Sequence, residues 1–306
     1  MKSQKIIIGS RGSQLALWQA NWVKSELERL HINTEVNIRV ITTSGDKIQE
    51  VPLAKIGGKG LFVKEIEEAL ISKEIDIAVH SMKDVPMEIP IQLGISVITK
   101  RENPLDALIS KNGKKLVDLP YGATIGTSSL RRSSQLLNYR EDFKIHPLRG
   151  HIDTRLRKLD EGTLDAILLA SAGLNRLGWA SRITEEIGHE ILTPAMGQGA
   201  LGIETRINDP ICDLISPLNH KNTHHAVAAE RALVDRLNGG CQVPIGAYAK
   251  IDNDLITLQG LVASLDGKII LKSEKVGSVT DAVLIGKELG TELLKMGANK
   301  ILEKLL

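Results

Sequence analysis

An alternation of strand-like and helix-like segments runs through this chain twice, and two short segments of one round resemble their counterparts in the other. In the first, 5–9 reads as a short buried strand. Residues 13–30 read as a helix, with Leu15, Trp18, Trp22 and Leu27 near helical spacing and Ser13 placed to cap it. Residues 36–43 alternate as a strand, 61–71 form an amphipathic helix and 75–80 a further strand. The second round places strands at 123–126, 143–147 and 164–170, with helices at 130–139 and 154–159. Ile8-Gly9-Ser10-Arg11-Gly12-Ser13 parallels Ile125-Gly126-Thr127-Ser128-Ser129-Leu130, and the 74–81 segment parallels 163–171. A βαβαβ order implies a mostly parallel sheet covered by helices, with ligands met at the carboxyl ends of the strands. Two such rounds predict two α/β lobes and a ligand cleft.

A third region follows. A helix at 225–237 leads into strands at 245–251, 256–263 and 268–275, and Asp266-Gly267 is a hairpin-type turn between the last two. A closing amphipathic helix spans 280–305. This is a smaller α+β domain. Residues 200–205 read as a strand returning to the first lobe, which makes that lobe discontinuous. The expected domains are 1–98 with 194–216, then 99–193, then 217–306.

Composition removes several function classes. Three Trp, three Tyr and two Phe in 306 residues supply too few stacking platforms for single-stranded nucleic acid. A net charge of +2 gives no global field for a polyanion. Cys212 and Cys241 make no disulfide framework, and no Cys/His cluster has zinc spacing, so no metal is expected. Only three consecutive apolar residues precede Gly9, and no run is long enough to span a bilayer. The expectation is a cytoplasmic protein with free thiols and neither nucleic-acid nor membrane partners. Gly57-Gly58-Lys59-Gly60 lacks the P-loop pattern and reads as a mobile loop, with Lys59 able to reach the cleft. Gly197-Gln198-Gly199 is too short for a dinucleotide fingerprint.

The near-zero total conceals a local excess. Between Thr127 and Lys158 eight Lys and Arg face three acidic residues. Arg131 and Arg132 follow one strand, Arg149 another and Arg176 a third, with Arg11 as the counterpart in the first lobe. Arginine forks suit carboxylates or phosphates, although a charge run is also what a solvated face looks like. Ser10–Ser13, Ser81 and Thr127–Ser129 put hydroxyls at helix starts, which serve either as anion sites or as simple caps. Lys83 and Asp84 lie on the same rim. Asp84 reads either as a carboxylate that stabilises a developing cation or as an ion-pair partner of Lys83 or an arginine. Cys241 follows two glycines on a loop, where it is an attachment point or a small buried hydrophobe.

Taken in order, the segments GSRGSQLALWQA (9–20), GGKGLFVKEIEEALI (57–71), HSMKDVP (80–86), ENPLDALIS (102–110), GTSSLRR (126–132), RGHIDTRLRKL (149–159), LASAGLNRLG (169–178), PAMGQGALGIE (194–204) and AERALVDRLNGGCQVPIGAY (229–248) resemble the hydroxymethylbilane synthase (porphobilinogen deaminase) family. The resemblance implies two lobes like those of periplasmic binding proteins plus the third domain, in a cytoplasmic monomer. It implies a transferase of porphyrin and haem biosynthesis that polymerises four porphobilinogen molecules into a linear tetrapyrrole. Its primer would be a dipyrromethane cofactor joined by a thioether to Cys241, and Asp84 would be the catalytic carboxylate. Lys83, Ser81, Thr127, Ser128, Ser129, Arg131 and Arg132 would hold the cofactor. Arg11, Ser13, Gln19, Arg149, Arg155, Arg176 and Gln198 would hold substrate or growing chain, and Lys55 and Lys59 would ride on the mobile loop. Each pyrrole brings an acetate and a propionate, which gives so many fixed cations a purpose. His151 and Met87 depart from the family's usual Asn and small polar residue. A non-catalytic two-lobed anion-binding or sensor protein is the competing reading.

Overall fold

The computed structural model describes residues 4–47, 63–239 and 243–305. They form an α/β fold in two compact units, Met1–Arg101 with Ala200–His224, and Glu102–Gly199 with His225–Leu306.

In the first unit, β1 (Gln4–Ser10), β2 (Thr34–Val40), β3 (Ile77–Ser81) and β4 (Leu93–Ile98) form one sheet with β10 (Leu201–Arg206), in the order β2-β1-β3-β10-β4. The first three strands are parallel, and β10 runs antiparallel to both neighbours. Helix α1 (Gln14–Leu30) buries Ala20, Val23 and Leu27 on this sheet, at the spacing of one helical stripe, against Ile6, Ile8, Ile77 and Ile203. Helix α2 (Lys64–Ile71) inserts Ile66 and Leu70 among Ile75, Ala78 and Leu93.

The second unit repeats this plan. Its strands β5 (Asp106–Ser110), β6 (Thr124–Gly126), β7 (Lys144–His146), β8 (Ala166–Ala170) and β9 (Glu185–Ile187) are ordered β7-β6-β8-β5-β9. Again three neighbouring strands are parallel and one antiparallel strand follows. The repeat extends to register. Ile8 and Gly9 oppose Ile77 and Ala78, as Ile125 and Gly126 oppose Ala166 and Ile167. It extends to a polar bracket as well: Asp76 Oδ2 accepts from the Ile7 amide at 2.8 Å, and Asp165 Oδ2 from the Thr124 amide at 2.7 Å. Helices α3 (Leu130–Tyr139), α4 (Ile152–Asp160) and α5 (Ser171–Arg176) each follow a strand of this sheet.

The same unit contains α6 (Lys221–Arg236) from His225 onward and an antiparallel meander of β11 (Ile245–Asp252), β12 (Leu255–Ala263) and β13 (Ile270–Ser278), packed by α7 (Ala282–Lys295). Gly267 at the β12–β13 turn has φ +72°, and a Cβ there would lie 2.5 Å from the Ser134 carbonyl oxygen. Asn138 Nδ2 donates to the Gly267 carbonyl at 2.9 Å, so the hairpin tip braces α3.

Two features differ from the sequence expectation. The closing helix is broken: Gly297, at φ +105°, ends it, and a short turn Ala298–Leu302 follows. The Gly297 amide donates to the Leu294 carbonyl, the satisfied C-terminus that a left-handed glycine permits. Strands β4, β5 and β9 are additional to the expected set. They are three to six residues long, too short for periodicity to separate from connecting chain.

Candidate active site

In the first unit, β1 and β3 are adjacent and parallel, so the residues that follow them share one edge of the sheet. Arg11 and Ser13 follow β1. Ser13 caps α1, its hydroxyl accepting from the Ala16 amide at 3.2 Å. Ser81 ends β3, and Met82–Asp84 form a single 3-10 turn beyond it. Asp84 is exposed at the end of that turn, while Lys83 is half-buried. The turn is held from behind by the Met82 amide, which donates to the Ala200 carbonyl at 3.0 Å. Gln19, buried at 2 % exposure, donates from Nε2 to the Ser81 hydroxyl at 2.9 Å.

In the second unit, Thr127–Ser129 connect β6 to α3. Their hydroxyls have local partners: Thr127 accepts from the Ser129 amide at 3.2 Å, Ser128 donates to the Leu148 carbonyl at 3.0 Å, and Ser129 caps α3 by accepting from the Arg132 amide at 3.4 Å. Arg131 and Arg132 are 5 % and 6 % exposed, and both bond Asp106, which is fully buried at the start of β5. Arg131 reaches Asp106 Oδ2 at 2.7 Å, and Arg132 reaches Oδ1 at 2.6 Å through Nη2 and 3.0 Å through Nε. Arg131 also donates to the Thr193 carbonyl and Arg132 to the Leu168 carbonyl. Burial alone would raise the Asp106 pKa, but the two guanidiniums overcome it and hold the carboxyl well below the usual range. Gln198 is buried and donates to Asp106 Oδ1 at 2.9 Å and to the Pro104 carbonyl at 2.7 Å.

Three further arginines follow the other strands of this sheet. Arg149 lies on the β7–α4 connection and is half-buried. Arg155, in α4, donates from Nε to the Gly150 carbonyl at 2.8 Å. Arg176, closing α5, donates to the Gly199 carbonyl at 2.7 Å. Burial lowers its pKa to about 10, against the opposing pull of Glu102. Cys241, Lys55 and Lys59 lie outside the described residues.

Two family models match the chain: porphobilinogen deaminase, dipyromethane cofactor binding domain, over residues 6–213, and porphobilinogen deaminase, C-terminal domain, over residues 224–295. The chain belongs to the porphobilinogen deaminase family. A porphobilinogen deaminase of Geobacter metallireducens is 54% identical over 303 residues, covering 99% of this chain and 95% of the relative. Another, of Syntrophobacter fumaroxidans, is 51% identical over 306 residues, covering 100% and 99%. Among solved structures, the extracellular-binding protein of a probable amino-acid ABC transporter from Bacillus subtilis is 14% identical with a TM-score of 0.42. That match covers 71% of this chain and 90% of that one, a likeness too slight to bear on function.

Membership in the porphobilinogen deaminase family gives the arrangement a test, because the cofactor in the family model's description must be accommodated by the residues present. A dipyrromethane whose rings carry acetate and propionate groups needs fixed cations. Arg131 and Arg132 share a single internal carboxylate, so the buried cluster keeps one net positive charge. The donor set fits a carboxylated group.

Sequence reasoning missed two polar clusters of this family member. Asp106 opens a five-residue strand and is followed by three apolar residues, and a charge there signals a buried partner. His80 Nε2 lies 3.0 Å from Glu204 Oε2, both nearly fully buried. A histidine after Ile77-Ala78-Val79 and a glutamate after Leu201-Gly202-Ile203 carried the same signal.

Proposed function

We propose that this chain catalyses the deaminative polymerisation of four porphobilinogen molecules, releasing the linear tetrapyrrole hydroxymethylbilane. The observation that carries the reading is the placement of Arg11, Ser13, Ser81, Lys83 and Asp84 at the ends of adjacent parallel strands in a chain of this family. A dipyrromethane joined through Cys241, when bound, supplies the terminal pyrrole onto which units are added.

The protein's own groups have distinct tasks. As the amino group of the substrate's aminomethyl arm departs as ammonia, the methylene stays on the ring and positive charge develops on its pyrrole. The exposed Asp84 carboxylate, fixed at the end of a one-turn helix, is placed to stabilise that charge through the pyrrole N–H. Arg131 and Arg132 hold cofactor carboxylates together with Lys83, Ser81 and Thr127–Ser129. Arg11, Arg149, Arg155 and Arg176 receive the two carboxylates that each added ring brings, with Ser13, Gln19 and Gln198 beside them. Lys55 and Lys59, in the segment that precedes α2 in sequence, add two further cations for the growing chain. The enzyme works as a cytoplasmic monomer, and its domains are 1–98 with 194–216, 99–193, and 217–306.

Ammonia release from porphobilinogen, followed with intact-mass spectrometry of the purified chain, tests this. The expected result is turnover together with an adduct on the peptide containing Cys241, and Asp84→Asn is expected to lose nearly all turnover while folding normally. Ligand binding without ammonia release would overturn the reading.

A further inference from the structure

Five N–H groups converge on the Asp106 carboxylate. Oδ1 accepts from Arg131 Nη2 at 3.2 Å, Arg132 Nε at 3.0 Å, Arg132 Nη2 at 2.6 Å and Gln198 Nε2 at 2.9 Å, and Oδ2 accepts from Arg131 Nη1 at 2.7 Å. The carboxylate is fully buried, at the position in β5 that opposes Ala170, the last residue of β8. It therefore stands at the sheet edge from which α5 begins.

The donor count is informative. An arginine has five N–H groups. Arg131 and Arg132 together make six hydrogen bonds, four to Asp106 and two to the carbonyls of Thr193 and Leu168. Among the described residues, four N–H groups and one net positive charge are left over. Without Asp106, two buried guanidiniums side by side would repel one another, and burial already lowers the Arg132 pKa, with Arg131 adding to that and Asp106 opposing it. Arg131 Nη1 and Gln135 Nε2 share the Thr193 carbonyl, at 2.7 and 3.3 Å, and the Thr193 amide donates to Gln135 Oε1 at 2.8 Å. The assembly is buried, polar and densely hydrogen-bonded, with its charge incompletely balanced.

We propose that Asp106 is the positioning residue of the Arg131–Arg132 anion site: it locks both guanidiniums and the Gln198 amide in place and reduces the pair to one net charge, which one ligand carboxylate completes. The inference rests on the reading that these arginines hold cofactor carboxylates. Under it Gln198 also acts through Asp106, as part of the frame.

Adduct occupancy by intact mass, thermal unfolding and the split between KM and kcat, all on the full chain, test the proposal. Asp106→Glu keeps the charge but displaces the carboxylate by one methylene. It is expected to fold, with adduct occupancy at limiting porphobilinogen reduced at least about tenfold, the low end of what misplacing a buried charge partner costs. Asp106→Ala removes the carboxylate and leaves room for formate. Formate, but not chloride at equal ionic strength, is expected to raise its unfolding temperature and restore its occupancy. Parent-like occupancy and KM in Asp106→Glu, or no effect of formate on Asp106→Ala, would overturn the proposal. Should the parent chain carry no adduct and release no ammonia, the functional reading fails instead. The formate effect on unfolding would then still decide what Asp106 does for its arginines.

Discussion

The Gln19 amide donates to the Ser81 hydroxyl at 2.9 Å, which ties the second turn of α1 to the end of β3, three residues before Asp84. Because Gln19 is buried, this bond fixes the strand end in a way that an exposed pair would not. Gln19→Leu is therefore expected to lower kcat by about tenfold to a hundredfold through misplacement of the carboxylate. Its cost in stability should stay within about 1–3 kcal/mol. Ser81→Ala should lose a similar amount, and the double variant little more, because both remove one bond. Rates measured across that cycle check it, and strictly additive losses would show that the two residues act separately.

Much of this architecture is written in the sequence, for physical reasons that particular elements make plain. Helix α3 occupies 130–139, the span expected, with a serine at its start. The paired motifs at 8–13 and 125–130 pointed to two similar lobes, and in the structure their strands pair with corresponding neighbours in matching register. Arg131 and Arg132 were recognisable as functional candidates from their chemistry. Their partner was not, because Asp106 is brought to them by β5, whose five residues carry no periodicity of their own. The His80–Glu204 pair was hidden likewise, since β10 reaches β3 from 120 residues further along the chain. Local pattern fixes elements, whereas polar pairing across a sheet is decided by topology.

His151 occupies the N-cap of α4 and makes no side-chain capping hydrogen bond there. The family's usual Asn would accept from an amide of the first turn, which here goes without that service. His151→Asn should stabilise the chain by about 0.5–1 kcal/mol, seen as a raised denaturation midpoint at unchanged slope. A lowered midpoint would mean that the imidazole contributes something other than capping.

Gly199 has φ +90°, and its carbonyl accepts from both Arg176 and the Glu102 amide. A Cβ at this position would lie 2.3 Å from the Glu102 carbonyl oxygen, a backbone atom that cannot swing aside. Gly199→Ala combines that clash with an unfavourable φ, so a loss of at least about 2 kcal/mol is expected. Moving the carbonyl also frees Arg176 from its present orientation, and KM for porphobilinogen should rise. Thermal unfolding and steady-state kinetics measure the two effects independently, and an unaltered KM would separate Arg176 from substrate binding.

Glu67, half-buried on α2, has its pKa raised to about 7, first by burial and then by Glu204, with His80 pulling the other way and Glu68 adding slightly. Glu204 Oε1 is itself buried with no hydrogen-bond partner among the described residues. Between the unfolded value near 4.5 and the folded value near 7, the folded chain binds more protons at Glu67 than the unfolded one. Its contribution to stability is thus fully present below pH 4.5 and is lost as pH rises through about 7. Glu67→Gln mimics the protonated form at every pH. The variant should match the parent in unfolding temperature at about pH 4, below the unfolded value, and exceed it at about pH 8, where the parent must keep a carboxylate charged beside Glu204. Equal unfolding temperatures across that range would mean that Glu67 is charged throughout and solvated well enough to bear it.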